Sequence, residues 1–111
     1  MIKIILLFRR RAGMSHQDFM DYRREVHAPL LLAIPEAKYI RKFVVSYPVP
    51  APNYPEPRYD AVVEAWFNTM AELNGLFSSE NFLHKVDPDH ENFIDLTSVE
   101  RIITEEITVI S

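Results

Sequence analysis

The sequence predicts an α+β fold: a ferredoxin-like βαββαβ protomer with a four-stranded antiparallel sheet and both helices on one face. Two units of strand, capped helix and strand follow each other with similar spacing. The strand segments are alternating or β-branched apolar runs, and each helix segment begins at a capping residue. The 111 residues suffice for one hydrophobic core but not for two, so 1–111 is predicted to be a single domain.

The first unit occupies the N-terminal half. Residues 2–8 (IKIILLF) are rich in β-branched residues and predict a buried strand. Ser15 is placed as the N-cap of a helix that is expected to run to about His27. A break or kink is expected there, because Pro29 disfavours the helical conformation of the residue before it. Residues 38–49 alternate and predict a long second strand.

The second unit follows a proline-rich segment, 48–58, which predicts a loop because proline cannot donate to a β-ladder. Residues 59–67 predict the third strand. Thr69 and Glu72 have capping-box spacing, which indicates a helix through about Phe77. The remaining segments are predicted as a short helix with a loop and as the last strand, 78–95 and 99–110.

Composition excludes several classes of function. Acidic and basic residues are mixed along a chain of net charge −4, so no basic stripe indicates nucleic-acid binding. The absence of cysteine excludes disulfides, thiolate metal sites and a thiol nucleophile, and it favours a cytoplasmic location. The N-terminal apolar run is too short for a signal peptide, and no segment could span a membrane. No glycine-rich phosphate loop is present, and no cofactor is expected.

The third strand predicts a homodimer through the sheet. One face of this strand would pack under the helices, and it carries Tyr59, Ala61, Val63, Ala65 and Phe67. The other face places Trp66 beside Glu64, an unusual pattern for a free surface. The first strand is apolar on both faces apart from Lys3. A second copy of the chain is therefore expected to cover this face and enclose a cavity lined by Glu64 and Trp66.

Three segments carry a resemblance to a known family: DFMDYRREVHAPLL, YDAVVEAWF and DPDHENFID. In combination they are similar to the EthD-like branch of the dimeric α/β-barrel superfamily, over nearly the whole chain. The resemblance implies a ferredoxin-like protomer, a homodimer and a pocket between sheet and helices or inside the barrel. Relatives include proteins linked to ethyl tert-butyl ether degradation, and the superfamily includes cofactor-free polyketide cyclases, decarboxylases, monooxygenases and isomerases. The fold alone therefore names no substrate.

His27 is the first candidate site residue. A helical wheel gives an apolar stripe of Phe19, Tyr22 and Val26, with an edge row of Met20, Arg23 and His27. His27 either caps free carbonyls at the helix end or acts as a neutral imidazole in a site. Partial burial and the charge of Arg23 would both favour the neutral form. His27 is the signature residue of the family motif, which supports a site.

Glu64 is the second candidate. It either pairs with a cation on a neighbouring strand, or it lies in a cavity where it orients His27 or a substrate hydroxyl. Asp60 is either a strand-end residue or a substrate ligand. The aromatic residues are either pocket walls or parts of the core and interface: Tyr22, Tyr47 and Trp66.

The segment around His84 and His90 invites a metal interpretation because it also carries Asp87, Asp89 and Asp95. The spacing matches no zinc pattern, and Pro88 interrupts helical presentation, so a solvated polar loop is favoured and no metal site is predicted. His84 has a second interpretation, since a histidine after the second helix is the base in some polyketide-cyclase relatives.

Together these features favour a small cofactor-independent enzyme for an apolar, oxygen-bearing molecule, such as a polyketide-like or aromatic compound. Cyclisation, isomerisation or decarboxylation by proton transfer is expected, in a degradative or secondary-metabolite pathway. His27 is predicted as the acid/base and Glu64 as its partner. The predicted substrate-binding residues are Tyr22, Arg23, Tyr47, Asp60, Trp66 and His84. A monooxygenase, cofactor-free or haem-dependent, and a non-catalytic carrier or accessory protein remain alternatives.

Overall fold

One four-stranded antiparallel sheet, covered on one face by helices, forms the structure, a computed structural model that describes residues 1–111. The strand order is β2-β3-β1-β4, with β1 at Ile2–Arg10, β2 at Lys42–Ser46, β3 at Ala61–Phe67 and β4 at Ile94–Glu105. The helices are α1 (His16–Tyr22), α2 (Ala28–Leu32) and α3 (Met70–Phe77). The predicted α+β fold with an antiparallel sheet is confirmed.

Strand register decides which residues face the helices. Ile4 pairs with Ala65 and Phe8 pairs with Ala61, so these four residues share one face of the sheet. Two hydrophobic clusters form on that face. The cluster under α2 and α3 includes Ile4, Leu31, Phe67, Leu76 and Val86. The cluster under α1 includes Phe8, Phe19, Val63 and Phe93.

The first helical segment continues past the proline. A π-helical turn, Arg23–His27, joins α1 to α2 without a break, and Ala28 keeps helical angles (φ −59°, ψ −43°). The N–H of Ala28 bonds to the carbonyl of Arg23, five residues back. The break predicted at Pro29 is therefore wrong: the wider turn removes the regular i−4 bonding that a proline ring and its missing N–H would disrupt.

The second and last strands begin and end at other residues than the sequence predicts. A 3₁₀ helix, Pro35–Tyr39, occupies the start of the predicted second strand. The last strand begins earlier than predicted and ends at Glu105, which pairs with Ile2, the first residue of β1. Beyond Glu105 the chain has no strand opposite it, so 106–111 lies outside the sheet.

The connections otherwise follow their sequence signals. Residues 48–58 contain neither helix nor strand, and the Thr69 side chain accepts a hydrogen bond from the N–H of Glu72 at 3.1 Å, as a cap of α3. Gly13, at φ +83°, forms the turn after β1. The segment after α3 contains a second π-helical turn and a 3₁₀ helix, Phe82–Val86 and Asp87–Asn92. None of the helices has the length and apolar character needed to cross a membrane.

Candidate active site

The first π-helical turn directs two polar residues toward the sheet. Arg23 and His27 are only 6% and 4% exposed, whereas Val26 is 41% exposed. The helical wheel predicted the reverse for Val26, and it is wrong because a π turn has more residues per turn and rotates the face that follows Tyr22. Phe19, Arg23 and His27 consequently share the buried side, and π turns of this kind occur frequently at functional sites.

His27 is held by a carboxylate from the segment before β4. Its Nδ1 lies 3.0 Å from Oδ2 of Asp89, whose Oδ1 accepts hydrogen bonds from the Tyr22 hydroxyl at 2.5 Å and from Asn92 at 3.0 Å. A carboxylate only accepts, so Nδ1 of His27 carries the proton of the neutral ring. Nε2 then keeps its lone pair, and it has no hydrogen bond within the protein.

Burial sets the protonation of His27, and hydrogen bonds set that of Asp89. Burial lowers the pKa of His27 to about 4, and repulsion from a protonated His90 and from Arg23 acts in the same direction, against the hydrogen bond that Nδ1 of His27 donates to Asp89. Burial alone would raise the pKa of Asp89, but hydrogen bonds from Tyr22, Asn92 and His27 outweigh it and leave that pKa below its usual value. At neutral pH the pair is thus a neutral imidazole and a charged carboxylate.

A second imidazole lies against the first. The ring centroids of His27 and His90 are 4.4 Å apart. Nδ1 of His90 lies 2.9 Å from the carbonyl oxygen and 3.1 Å from Oδ1 of Asp87, so it too carries the proton. Burial lowers the pKa of His90. The solvated loop favoured by the sequence is therefore wrong for His90, and the site contains two neutral imidazoles with free Nε2 atoms.

An apolar cavity of about 360 Å³ adjoins this cluster. It lies between β1, β4 and the chain from α3 to the 3₁₀ helix Asp87–Asn92. Its size is within the range of small-molecule pockets. The apolar lining includes Ile4, Leu6, Phe8, Leu73, Phe77 and Ile103. The polar lining is Asn74, Asp87, His90 and Arg101. His90 is thus the imidazole at the cavity wall, and His27 lies next to it without lining the cavity.

Phe93 is the centre around which the polar groups pack. Its ring is fully buried, and its centroid lies 4.8 Å from that of His27 and 5.9 Å from that of His90. Cζ of Arg23 lies 5.8 Å from the same ring and 5.3 Å from the ring of Phe8, which lines the cavity. Burial lowers the pKa of Arg23 to about 10, so the guanidinium remains charged at neutral pH.

Glu64 does not orient His27. It lies on the face of the sheet turned away from the helices, where its Oε2 accepts a hydrogen bond from Lys3 at 3.0 Å. Lys3 also pairs with Glu106 at 3.4 Å. The predicted role of Glu64 as the partner of His27 is therefore wrong, because the alternation of β3 sends it to the opposite side, and Asp89 holds His27 instead.

Trp66 shares that outer face and does not line the cavity. Its Nε1 donates to Glu106 at 2.7 Å, and the Nζ atoms of Lys3 and Lys42 lie 5.1 Å and 4.9 Å from its ring centroid. The indole is thus covered by charged side chains of its own chain. The sequence could not reveal this, because Glu106 belongs to the segment beyond β4.

The other predicted substrate-binding residues fall into two groups. Tyr22 belongs to the histidine cluster through Asp89, and Arg23 is buried beside it. Asp60, in contrast, accepts hydrogen bonds from the backbone and guanidinium of Arg10 at 2.8 Å and 2.6 Å, as a strand-end residue.

Tyr47 and His84 lie outside the lining of the cavity. Tyr47 packs edge-on against His16 and Phe19, with ring centroids 6.0 Å and 6.1 Å away. His84 is exposed on the second π-helical turn. The proposed base role of His84 has no geometric support here, because His90, six residues later, occupies the cavity wall.

The sequence interpretation missed Asp89, His90 and Phe93 as site residues. All three lie in DPDHENFID, one of the segments that carried the family resemblance. The family resemblance of this segment was the one sequence signal that pointed to it. The structure contains no group of three or more His, Asp or Glu residues placed to hold a metal ion.

The lowered pKa of His27 predicts a stability that falls in mild acid. Below pH 6.5 the unfolded chain binds a proton at this residue, and the folded chain does so only near pH 4. The free energy of unfolding is therefore highest above pH 6.5 and is expected to decrease by about 3 kcal/mol toward pH 4 through His27. Urea unfolding at pH 7 and pH 4 measures it.

A matched pair of variants isolates this histidine. His27→Gln keeps a hydrogen-bond donor but cannot titrate, so its stability should vary less between the two pH values. His84→Gln, at an exposed histidine, should behave as the wild type. Equal pH dependence in all three proteins would show that His27 titrates normally.

Comparisons with known proteins agree with the fold and identify relatives. The EthD domain profile matches residues 11–97. A conidial pigment biosynthesis dehydratase EthD from Metarhizium robertsii is 31% identical over 97 residues, covering 78% of this chain and 68% of that protein. An ethyl tert-butyl ether degradation (EthD) family protein from Bacillus halodurans has a TM-score of 0.74 at 22% identity, covering 96% of this chain and 99% of that one.

A further solved structure is described as dimeric. This protein of unknown function from Bacteroides fragilis has a ferredoxin-like fold and a TM-score of 0.66 at 16% identity, covering 95% of each chain. At these identities the solved structures support the fold alone.

Proposed function

This chain belongs to the EthD family, and from that premise we propose that it is a small enzyme that removes a proton beside a carbonyl group and eliminates water. One observation carries the proposal: two neutral imidazoles lie in contact, and one of them lines the wall of an apolar cavity. The Nδ1 atom of each imidazole donates a hydrogen bond to an oxygen of an aspartate residue. The name of the Metarhizium robertsii relative, a dehydratase, supports elimination among the proton-transfer reactions.

The substrate class follows from the cavity. Its volume of about 360 Å³ and its mainly aliphatic and aromatic lining suit an apolar ring system with few oxygen atoms. The few polar groups of the lining include His90 and Asp87, which bond to each other. A β-hydroxyketone on a fused-ring or polyketide-like skeleton meets both requirements.

The proposed reaction needs one acid/base group. Nε2 of His90 takes a proton from the carbon next to the carbonyl, and the electron pair of that bond forms an enolate. The imidazolium returns the proton to the β-hydroxyl group, which leaves as water while the carbon–carbon double bond forms. Asp87, bonded to Nδ1, stabilises the transient cation. His27, which the sequence predicted as the acid/base, is proposed to position His90 through ring contact, with Asp89 fixing its own orientation.

A defined probe tests this function. 3-Hydroxy-1-tetralone loses water to give 1-naphthol, and the fluorescent product can be followed continuously. The wild-type protein is expected to accelerate this reaction over buffer, with saturation by substrate. Binding of the tetralone without any increase in 1-naphthol would contradict the enzyme and favour the carrier function.

We also propose that two copies pair through the outer face of the sheet. Ile5 and Ile102 pair across β1 and β4 on that face, and Ile102 is 54% exposed. The charged groups there satisfy each other, since Lys3 bonds to Glu64, so a second sheet could cover them. The dimeric relative of similar fold supports this arrangement.

Light scattering after size exclusion checks the dimer. The wild type is expected at twice the protomer mass of 13.0 kDa. Ile102→Glu should shift it to the protomer mass, because a buried unpaired carboxylate opposes association. Leu32→Glu, at a residue that is 72% exposed on α2, should leave the dimer intact. A monomeric wild type would contradict the pairing.

A further inference from the structure

Arg101 is the only lysine or arginine in the lining of the cavity. It lies on β4 opposite Leu6, which shares the inner face of the sheet with Ile4 and Phe8 and lines the same cavity. Strand register thus places the Arg101 side chain on the inner face, away from the outer face proposed to bind a second copy. A ligand in the cavity can therefore contact this side chain both in the protomer and in the proposed dimer.

The alternation of β4 is reversed around Arg101. A strand with one face under helices usually directs apolar residues inward and polar residues outward. Here Val99, Arg101 and Ile103 line the cavity, whereas Ile102 points outward and is 54% exposed. The cation thus lies between two apolar residues of the cavity wall. Because Arg101 is itself exposed, its stem lies along this wall and its charged head lies at the open side of the cavity.

The guanidinium of Arg101 has no acidic partner within the chain, and it forms no salt bridge with any of the carboxylates. Other arginines near the sheet are paired: Arg10 contacts Asp60 at 2.6 Å, and Arg41 contacts Glu72 at 3.6 Å. The N–H donors of Arg101 are therefore available to a ligand. A planar guanidinium fits the two oxygen atoms of a carboxylate, with two parallel hydrogen bonds.

The other full charge in the lining is negative. Asp87 and His90 belong to the 3₁₀ helix, and Oδ1 of Asp87 lies 3.1 Å from Nδ1 of His90. The charge of Asp87 repels an anion from the part of the cavity where His90 lies, whereas Arg101 on β4 attracts it. An acidic ligand is thereby oriented in one direction, with its neutral carbonyl group at His90 and its carboxylate at Arg101.

Resting on the proposed function, we infer that Arg101 binds a carboxylate of the substrate while the apolar ring system of the substrate occupies the cavity. The substrate class therefore narrows to β-hydroxyketones of fused-ring or polyketide-like acids. Arg101 selects and orients such a substrate and takes no part in the proton transfer at His90. The carboxylate keeps part of its hydration, because Arg101 is exposed, so the full penalty for burying an ion pair does not arise.

A pair of ligands that differ in charge tests the inference. 2-Naphthoate and 2-naphthalenemethanol share one ring system, and calorimetry gives their affinities. Arg101→Met keeps an apolar stem and removes the charge. It is expected to lower the ratio of naphthoate affinity to alcohol affinity by about five- to tenfold, as a partly exposed charged hydrogen bond predicts, and to leave the affinity for the alcohol unchanged. Arg101→Lys should lose part of the preference, because lysine retains the charge without the planar fork.

Arg58→Met is the matched control. Arg58 is exposed in the proline-rich segment and lies outside the cavity lining, so this variant has the same net charge as Arg101→Met and should keep the wild-type ratio. Because both residues are exposed, neither substitution is expected to change the Tm.

Four results would overturn the inference: an unchanged ratio in Arg101→Met, an equal fall in Arg58→Met, a matching loss of alcohol binding in Arg101→Met, or a wild type that binds neither ligand. The ratio is measured without turnover, so this inference and the proposed reaction can fail separately. A wild type that forms no 1-naphthol from 3-hydroxy-1-tetralone contradicts the reaction and leaves the ratio of affinities as expected.

Discussion

Replacing His90 by glutamine is expected to lower the rate of 1-naphthol formation from 3-hydroxy-1-tetralone by roughly 10²–10⁴-fold. Glutamine retains a donor that can reach Asp87, but it has no nitrogen that can accept and return a proton. His90 is the imidazole that lines the cavity, so its loss removes the only such group at the wall. The initial rate under saturating substrate measures the effect.

His84→Gln is the matched control for this variant. His84 lies in the same segment but is exposed, so its rate should equal that of the wild type. Thermal unfolding of both variants shows whether the fold is retained. A His90→Gln protein that is folded and as active as the wild type would remove His90 from the reaction.

Truncating Phe93 to alanine is expected to lower the free energy of unfolding by about 3–5 kcal/mol. The ring is fully buried and contacts Phe19 and Tyr22, with centroids 6.0 Å and 5.2 Å away, besides both site histidines. Its removal leaves a cavity in the core and frees the imidazoles that pack on it. Urea unfolding at pH 7 gives the stability.

Phe43→Ala provides the comparison, because Phe43 is 40% exposed at the edge of the sheet. It should cost far less stability than Phe93→Ala. Equal losses in the two variants would show that Phe93 is not the centre of the cluster, and that the histidines are held by other contacts.

The order of strands and helices was predictable because it depends on local patterns. The alternation of 59–67 and the capping box at Thr69 fix a strand and a helix within a few residues, and tertiary packing does not override them. The course through Pro29 was not predictable, since nothing in a wheel of 3.6 residues per turn anticipates a π-helical turn. That turn also reversed the expected burial of Val26.

The site was partly predictable for the same reason. His27 and Arg23 were identified from the helix that carries them. The residues that contact the His27 side chain from β4's side of the site lie far along the chain. Asp89, which accepts its hydrogen bond, is 62 positions away. Local periodicity carries no information about such a contact. Glu64 shares one face of its strand with Trp66, and this pattern predicts a covered face. The pattern does not say on which side of the sheet His27 lies.

Proton exchange at the carbon beside a carbonyl tests the central claim most directly, since the proposed elimination begins with that step. 1-Tetralone in D₂O, followed by ¹H NMR, reports the exchange without requiring the natural substrate. We expect the wild-type protein to accelerate exchange by about 10²-fold or more over buffer, and His90→Gln to lose that acceleration. Exchange at the buffer rate with wild-type protein, or undiminished exchange with His90→Gln, would contradict a proton-transfer site at the two histidines.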